Sequence, residues 1–380
     1  MSYVQSPFLP AGRGRFPHPA DGPPEPTLEE LLLGRSPAPP VSPAVRGHLR
    51  GQVVLVTGAA GSIGSHLAAC VLRCQPKTLL LLDQAESALA DLLLTLRQTA
   101  LASAPDTQLV PLLADIRNAA RLEAIFRDFR PQVVFHTAAY KHVPLLESHP
   151  REAVEVNVLG TVALADLSRH HGAQAFVLIS TDKAVNPVSI MGATKRLAEQ
   201  YLQQLHQQAA GSTCRFLTTR FGNVLGSSGS VLRIFQEQLR AGGPLTVTHR
   251  GISRYFMTVS EASQLILEAN WLGQGGELFL FDMGTPVRVA DLARRLIQLT
   301  DPPPNQPVRI RFTGLRPGEK LEEDLLGDQE SRQSTLHPQI YRVQTAPVDA
   351  ERVRRQIARL RWLAGQPPAR PTDWRAELSL

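Results

Sequence analysis

The sequence predicts an α/β fold, a doubly wound parallel sheet with a smaller C-terminal substrate-binding lobe. Three observations carry this expectation. Short apolar runs alternate with helical patterns from residue 52 to 180, a glycine triplet sits at the first strand-to-helix junction, and the rhythm turns irregular after Arg220. Alternating strands and helices build a parallel sheet covered by helices on both faces.

Taken in order, residues 1–27 are rich in Pro and Gly, without apolar periodicity, and read as a disordered lead-in. Residues 27–34 read as a short helix with a capping threonine, Thr27, and a terminal glycine, Gly34. A second Pro-rich stretch at 36–43 leads to the core domain near Gly47. There, 52–57 is a strand, 62–74 a helix, 79–83 a strand and 85–102 a helix, and 109–113, 133–136 and 175–180 continue the strands. The chain thus divides into an N-terminal extension at 1–46, a nucleotide-binding domain at 47–225, a lobe at 226–345 with segments returning to the sheet, and a helix and tail at 346–380. In the last of these, Val353, Ile357 and Leu360 share one helical stripe among arginines. That pattern suits a docking or subunit helix, with a membrane-surface helix as the alternative.

Composition bounds the function. A chain of 380 residues has room for one large domain or two moderate ones, with ample core. A net charge of +6 suits anionic ligands, but no Lys/Arg run is interleaved with aromatics, which argues against a nucleic-acid partner. Cys70, Cys74 and Cys214 are odd in number and lack zinc spacing, so they read as reduced thiols of a cytoplasmic protein, with no metal site. The apolar run at 79–82 is far short of the ~20 residues of a membrane span, and the N-terminus does not resemble a signal peptide, so no integral membrane segment is expected.

Gly58, Gly61 and Gly64, with Ser62 and Ile63 between them, lie between the first strand and helix. Such glycines permit a tight turn and let backbone approach a pyrophosphate resting on the helix N-terminus, which makes the sheet Rossmann-type. Asp83, ending the second strand, is placed to accept from a ribose diol and repel a 2′-phosphate. It favours NAD as cofactor and leaves NADP open. Asp115 and Ile116 follow the third strand, where an acid can meet the adenine amine. Ala138 and Ala139 are small enough for the cofactor ribose to approach, while Tyr140, Lys141 and His142 point over the nicotinamide.

Thr181, Asp182 and Lys183 end the fifth strand, offering a hydroxyl, an acid and a base in a row, and Lys195 sits on the helix beyond. A lysine there holds the nicotinamide ribose and lowers the pKa of nearby acids. Asn157 either anchors that lysine through water or is a helix-internal polar residue. A tyrosine would ordinarily stand four residues before Lys195; here Met191 does, and a thioether moves no proton. Either the site is dead or its proton chemistry lies with the neighbours.

Together with Asn157-Val-Leu-Gly-Thr161, Arg220-Phe-Gly-Asn223, Ser230-Val231, Arg254-Tyr-Phe-Met-Thr258 and Gly314-Leu-Arg316-Pro-Gly-Glu319-Lys320, these motifs occur in a fixed order from 28 to 341. The chain resembles the UDP-N-acetylglucosamine 4,6-dehydratases of bacterial glycan and polysaccharide biosynthesis. These are extended short-chain dehydrogenase/reductases, and the likeness is to the Met-for-Tyr type without the membrane-spanning region. The resemblance implies an internal redox cycle: oxidation at C4 of the sugar, loss of water across C5 and C6, and return of the hydride to C6. It makes Lys183 the base for the C5 proton and Asp182 the acid for the C6 hydroxyl, with Thr181 relaying the C4 hydroxyl proton. Lys183 must be neutral for this, and Lys195 and the cofactor ring are expected to depress its pKa. Asn223, Arg254 and Arg316 would hold the uridine diphosphate, with Lys141, His142, Ser230, Val231 and Glu319 lining the sugar site. A UDP-sugar substrate and a homo-oligomer follow. Two alternatives stay open: a nucleotide-sugar epimerase, and a catalytically silent nucleotide-binding regulator.

Overall fold

Most of the apolar runs become central strands because they are apolar along their whole length, as strands covered on both faces must be. The computed structural model describes residues 27–35, 40–208, 214–300, 308–366 and 371–380. The lead-in expected at 1–27 lies outside them except for Thr27, as do residues 36–39 of the second Pro-rich stretch. Among the described residues, nine strands form one sheet: β1 (Val53–Thr57), β2 (Thr78–Asp83), β3 (Gln108–Leu113), β4 (Val133–His136), β5 (Ala175–Ile179), β6 (Arg215–Arg220), β7 (Leu278–Phe281), β8 (Ser331–Ser334) and β9 (Ile340–Gln344). Their spatial order is β3-β2-β1-β4-β5-β6-β7-β9-β8. The strands from β3 to β7 run parallel, and β9 and β8 close that edge antiparallel. β1 pairs with both β2 and β4, so the winding reverses beside it, and ligands of such sheets bind in the crevice that opens there. This is the Rossmann-type arrangement.

Alternation along β1 feeds two cores. Val54 and Val56 pack on one face with helices Ser62–Leu72 and Val259–Leu272. Leu55 packs on the other, with helices Thr161–His170, Ile190–Gln207 and Ala350–Ala364. A third core, including Leu232, Phe235, Val247, Phe256 and Leu292, holds the smaller lobe together. Within that lobe, Ser253–Arg254 pairs with Val287–Arg288, and Asn223–Val224 pairs with Phe256–Met257. These short pairings carry two of the expected substrate residues to the sheet's C-terminal edge.

Both ends of the described chain dock on this frame. Thr27 and Glu30 form a reciprocal capping box, Gly34 closes the helix Leu28–Leu33 at φ 63°, and Leu32 is fully buried in the smaller lobe. The C-terminal helix buries Val353, Ile357, Leu360 and Leu363 in the second core. Arg151 caps it by donating to the carbonyl oxygens of Ala364 and Gln366. The apolar stripe is thus used on the chain's own core, as expected of a docking helix rather than of the membrane-surface alternative. Among the described residues no helix is long and apolar enough to cross a membrane. The three cysteines are buried, and burial pushes the thiols of Cys74 and Cys214 up to about 12.

Candidate active site

The glycine-rich turn is held by contacts that only glycine allows. Gly58 has φ +67°, and a Cβ there would stand 2.7 Å from the Ala138 backbone. A Cβ on Gly64 would lie 2.1 Å from the Gly58 carbonyl oxygen. Gly61 begins the helix Ser62–Leu72 without a side-chain cap, which leaves its first amides directed at an anion site. Ile63 packs on the first core, and Ser62 Oγ accepts from the Ser228 amide at 2.8 Å, tying the turn to a loop of the smaller lobe. Asp83 accepts from the amides of Ala60 and Ala85, each at 2.9 Å, so the acid expected on the ribose also braces the glycine turn. Each oxygen keeps a further lone pair for a diol.

Asp115 is engaged differently. Arg117, which the sequence reading did not single out, chelates it through Nε and Nη2 at 2.9 and 2.5 Å, and that hydrogen bonding holds the carboxyl below its usual range. Ile116 is buried against Gly160, where a Cβ would stand 2.7 Å from Ile116 Cδ1.

Asn157 is fully buried in a π-helical turn, Val154–Gly160, a local widening often found at functional sites. Its amide exchanges two hydrogen bonds with the Tyr140 backbone, at 2.8 and 3.0 Å, and donates to Thr194 Oγ1 at 3.2 Å. The asparagine therefore links the half-buried Ala138–Ala139–Tyr140 loop to the residue preceding Lys195. Lys195 is buried; burial pulls its pKa down to about 8, against the opposing charge of Glu199. Met191 is buried in the second core. Gly192 lets this helix approach the backbone at Lys183, since a Cβ there would meet the Lys183 carbonyl oxygen at 2.2 Å.

At the end of β5, Asp182–Ala184 forms a short 3-10 turn capped by Thr181. Thr181 Oγ1 donates to Asp182 Oδ1 at 2.9 Å. Lys183 Nζ donates to the same oxygen at 2.9 Å and to Asn223 Oδ1 at 2.9 Å, with Glu323 Oε1 at 3.5 Å. Asp182 is fully buried, and its Oδ2 has no hydrogen-bond partner among the described residues. Burial pulls the Lys183 ammonium down, but the charges of Asp182 and Glu323 outweigh it and hold its pKa above the ordinary lysine value. The expected depression of Lys183 is thus reversed in this structure, because two carboxylates face the ammonium. It is Lys195 that is depressed.

The remaining expected residues scatter around this centre. Arg254 is buried and donates to the carbonyl oxygens of Ser253, Lys320 and Leu321, so it organises the 318–323 segment, with Glu319 at 3.6 Å. Arg316 is exposed, and its amide donates to Glu319 Oε2 at 3.1 Å. Lys141 Nζ lies 3.5 Å from Ser227 Oγ, and the His142 ring leaves room only for glycine at 229. Ser230 Oγ is buried without a partner among the described residues, and Val231 packs on the third core.

Sequence reasoning missed four acids and bases that matter here: Arg117, Glu199, Glu323 and Glu330. Glu199 takes Ser180 Oγ at 2.6 Å and the Arg220 guanidinium at 2.6 and 2.8 Å, and Arg220 also donates to Glu330 at 2.7 Å. Arg220 and Glu199 are fully buried, so this paired network fixes the strand end before Thr181 to the helix of Lys195. The one available signal was Glu319-Lys320 followed by an acidic pair, Glu322-Glu323, of which only Glu323 turns inward.

Comparison with known proteins agrees with this geometry. A family model described as polysaccharide biosynthesis protein matches residues 54–345. The capsular polysaccharide biosynthesis protein CapD of Staphylococcus aureus is 44% identical over 82% of this chain and 51% of its own length, so the chain spans about half of that relative. A UDP-N-acetylglucosamine 4,6-dehydratase (inverting) of Campylobacter jejuni is 30% identical over 73% of this chain and 78% of its own. A UDP-glucose 4-epimerase of Rickettsia rickettsii is 32% identical over 61% of this chain and 66% of its own. Among solved structures, Pen from Bacillus thuringiensis superposes with a TM-score of 0.69 at 29% identity, covering 79% of this chain and 89% of that one. The family match over residues 54–345 and these relatives show that the chain belongs to the polysaccharide biosynthesis branch of the extended short-chain dehydrogenase/reductases.

Proposed function

We infer that this chain is a nucleotide-sugar 4,6-dehydratase that converts UDP-N-acetylglucosamine to a UDP-4-keto-6-deoxy-N-acetylhexosamine for glycan or polysaccharide biosynthesis. The observation that carries this reading is the pairing of Lys183 with the buried Asp182, with Thr181 hydrogen-bonded to the same carboxylate oxygen. The named activity of the Campylobacter relative supports the substrate.

The chain's own residues fit a nicotinamide dinucleotide. Gly58, Gly61 and Gly64 offer the backbone turn, Asp83 has acceptor capacity for an unphosphorylated ribose, and Lys195 would hold the second sugar. Bound there, NAD supplies a two-electron acceptor that is restored within each turnover. Thr181 gives the C4 hydroxyl proton a path to Asp182, which replaces the missing tyrosine. Asp182, once protonated, is the acid for the departing C6 hydroxyl. Lys183, once neutral, takes the C5 proton, made acidic by the neighbouring ketone. An epimerase needs no acid directed at C6, so this couple argues against a simple epimerase.

Incubation of the purified protein with UDP-N-acetylglucosamine and NAD is expected to yield a product lighter by one water, with no net NADH. Unchanged substrate mass after long incubation would defeat the reading, and a product of equal mass but altered configuration would favour the epimerase.

A further inference from the structure

Lys183 Nζ donates to Asp182 Oδ1 and to Asn223 Oδ1, each at 2.9 Å, and forms an ion pair with Glu323 Oε1 at 3.5 Å. An ammonium so held has no lone pair to offer a substrate C–H bond, so one proton must leave before the lysine can act as a base. Asn223 presents an amide oxygen, which takes no proton near neutral pH. Asp182 cannot keep it either. On the dehydratase reading, on which this inference rests, that carboxylate must stay free for the C4 hydroxyl proton. Glu323 is the acceptor that remains.

Its surroundings suit a proton held in reserve. The side chain is buried, and Oε2 has no partner among the described residues. Lys183 and Asp182 face it from the turn after β5, Arg254 Nε stands 3.8 Å away on the strand Ser253–Arg254, and Lys320 lies on its own segment. Burial, aided by the Asp182 charge, raises its pKa against the pull of Lys183, Arg254 and Lys320.

We propose that Glu323 is the proton store for Lys183: the Nζ–H bond facing it breaks, an O–H bond forms on Glu323 Oε1, and the ion pair becomes a neutral amine beside a carboxylic acid. The charge of the pair is unchanged, nothing else is consumed, and the proton returns when the cycle ends. Asp182 and Lys183 can then do separate work, one cycling the hydroxyl proton and the other the C5 proton. The 3.5 Å gap is of the kind that closes when substrate seats. Glu323 touches no reacting atom in this scheme; it is a positioning residue acting through Lys183.

The test compares Glu323→Gln and Glu323→Asp with the parent protein, all confirmed folded by thermal melting. Because the parent passes the proton internally, its kcat for water loss is expected to be flat from about pH 7 to 9. In Glu323→Gln the proton must escape to solvent, so kcat falls roughly 10- to 100-fold near neutral pH and recovers as pH rises. Glu323→Asp, which keeps a carboxylate, retains the flat profile. A second readout needs no turnover: amine labelling of Lys183 across a pH series, read by peptide mass spectrometry, shifts to lower pH by about one unit in Glu323→Gln. A Gln variant with the parent rate, or one slowed equally at every pH, overturns the proposal, as does an unshifted labelling curve. If the parent itself removes no water from UDP-N-acetylglucosamine, the dehydratase reading fails by that result alone, and the labelling curve still decides whether Glu323 governs the Lys183 proton.

Discussion

Two lysines flank the candidate site, Lys183 half-buried and Lys195 buried, and the structure treats them in opposite ways. Lys183, on the turn after β5, is held charged by two carboxylates, whereas Lys195, on the helix Ile190–Gln207, is drawn down to about 8. Burial disfavours the ammonium in both. The difference lies in the partners: Lys183 has a carboxylate at 2.9 Å and another at 3.5 Å, while Glu199, the acid that opposes the depression of Lys195, is committed to Arg220 and Ser180. Where acids are spent on structure, a neighbouring lysine loses its hold on a proton. Where they are free, it keeps one.

Removing the charged lysine is the strongest way to test that division. Lys183→Ala is expected to lower kcat by roughly 100- to 10,000-fold, the range for loss of a positioned acid or base. Binding of NAD, followed by fluorescence quenching or calorimetry, should change little, because Lys183 contacts Asp182, Asn223 and Glu323 rather than the glycine turn. Equal loss of cofactor binding would mean that the two lysines do not have separate jobs.

The depressed lysine gives a smaller, pH-dependent effect. The Lys195 pKa falls from 10.5 to about 8 on folding, so between those values the unfolded chain binds more protons and stability rises with pH. Below about pH 8 the folded protein carries the full cost of a buried ammonium, on the order of 1–3 kcal/mol. Lys195→Met should therefore be the more stable protein at pH 7, with the advantage shrinking as pH rises toward 10.5. It should also bind NAD less well. Denaturant midpoints across pH check the sign, and an advantage that grows with pH would contradict the assigned depression.

The same contrast explains what could be read from the chain alone. The strands read at 133–136 and 79–83 recur as Val133–His136 and Thr78–Asp83, because an apolar run bounded by polar residues is a local signal. Thr181, Asp182 and Lys183 were legible for the same reason, being neighbours in sequence and in space. Glu199, Glu323 and Glu330 were not. Each looks like an ordinary solvated acid in its own segment, and each acquires meaning only when folding brings Arg220 or Lys183 against it. The protonation state of Lys183 was misjudged through that omission: with Asp182 alone in view, the second carboxylate that holds the proton was missing. The C-terminal stripe was ambiguous on similar grounds, since an amphipathic helix does not state what its apolar face will meet.

Met191 supplies the smallest expected effect and the finest test of the comparison. Its side chain is buried in the second core, and its carbonyl oxygen accepts from Thr194 Oγ1 at 2.7 Å. That backbone contact reaches Thr194, which Asn157 also contacts, and it survives any side-chain change. Leucine conserves the volume and the apolar character, a swap that typically costs less than about 1.5 kcal/mol. If the C4 hydroxyl proton travels through Thr181 to Asp182, the thioether carries no chemistry. Met191→Leu should then keep kcat within about threefold of the parent, with an unchanged pH profile. A variant that folds and binds NAD yet is inactive would assign the sulfur a part in the reaction, and the separation of roles between the Lys183 turn and the Lys195 helix would have to be redrawn around it.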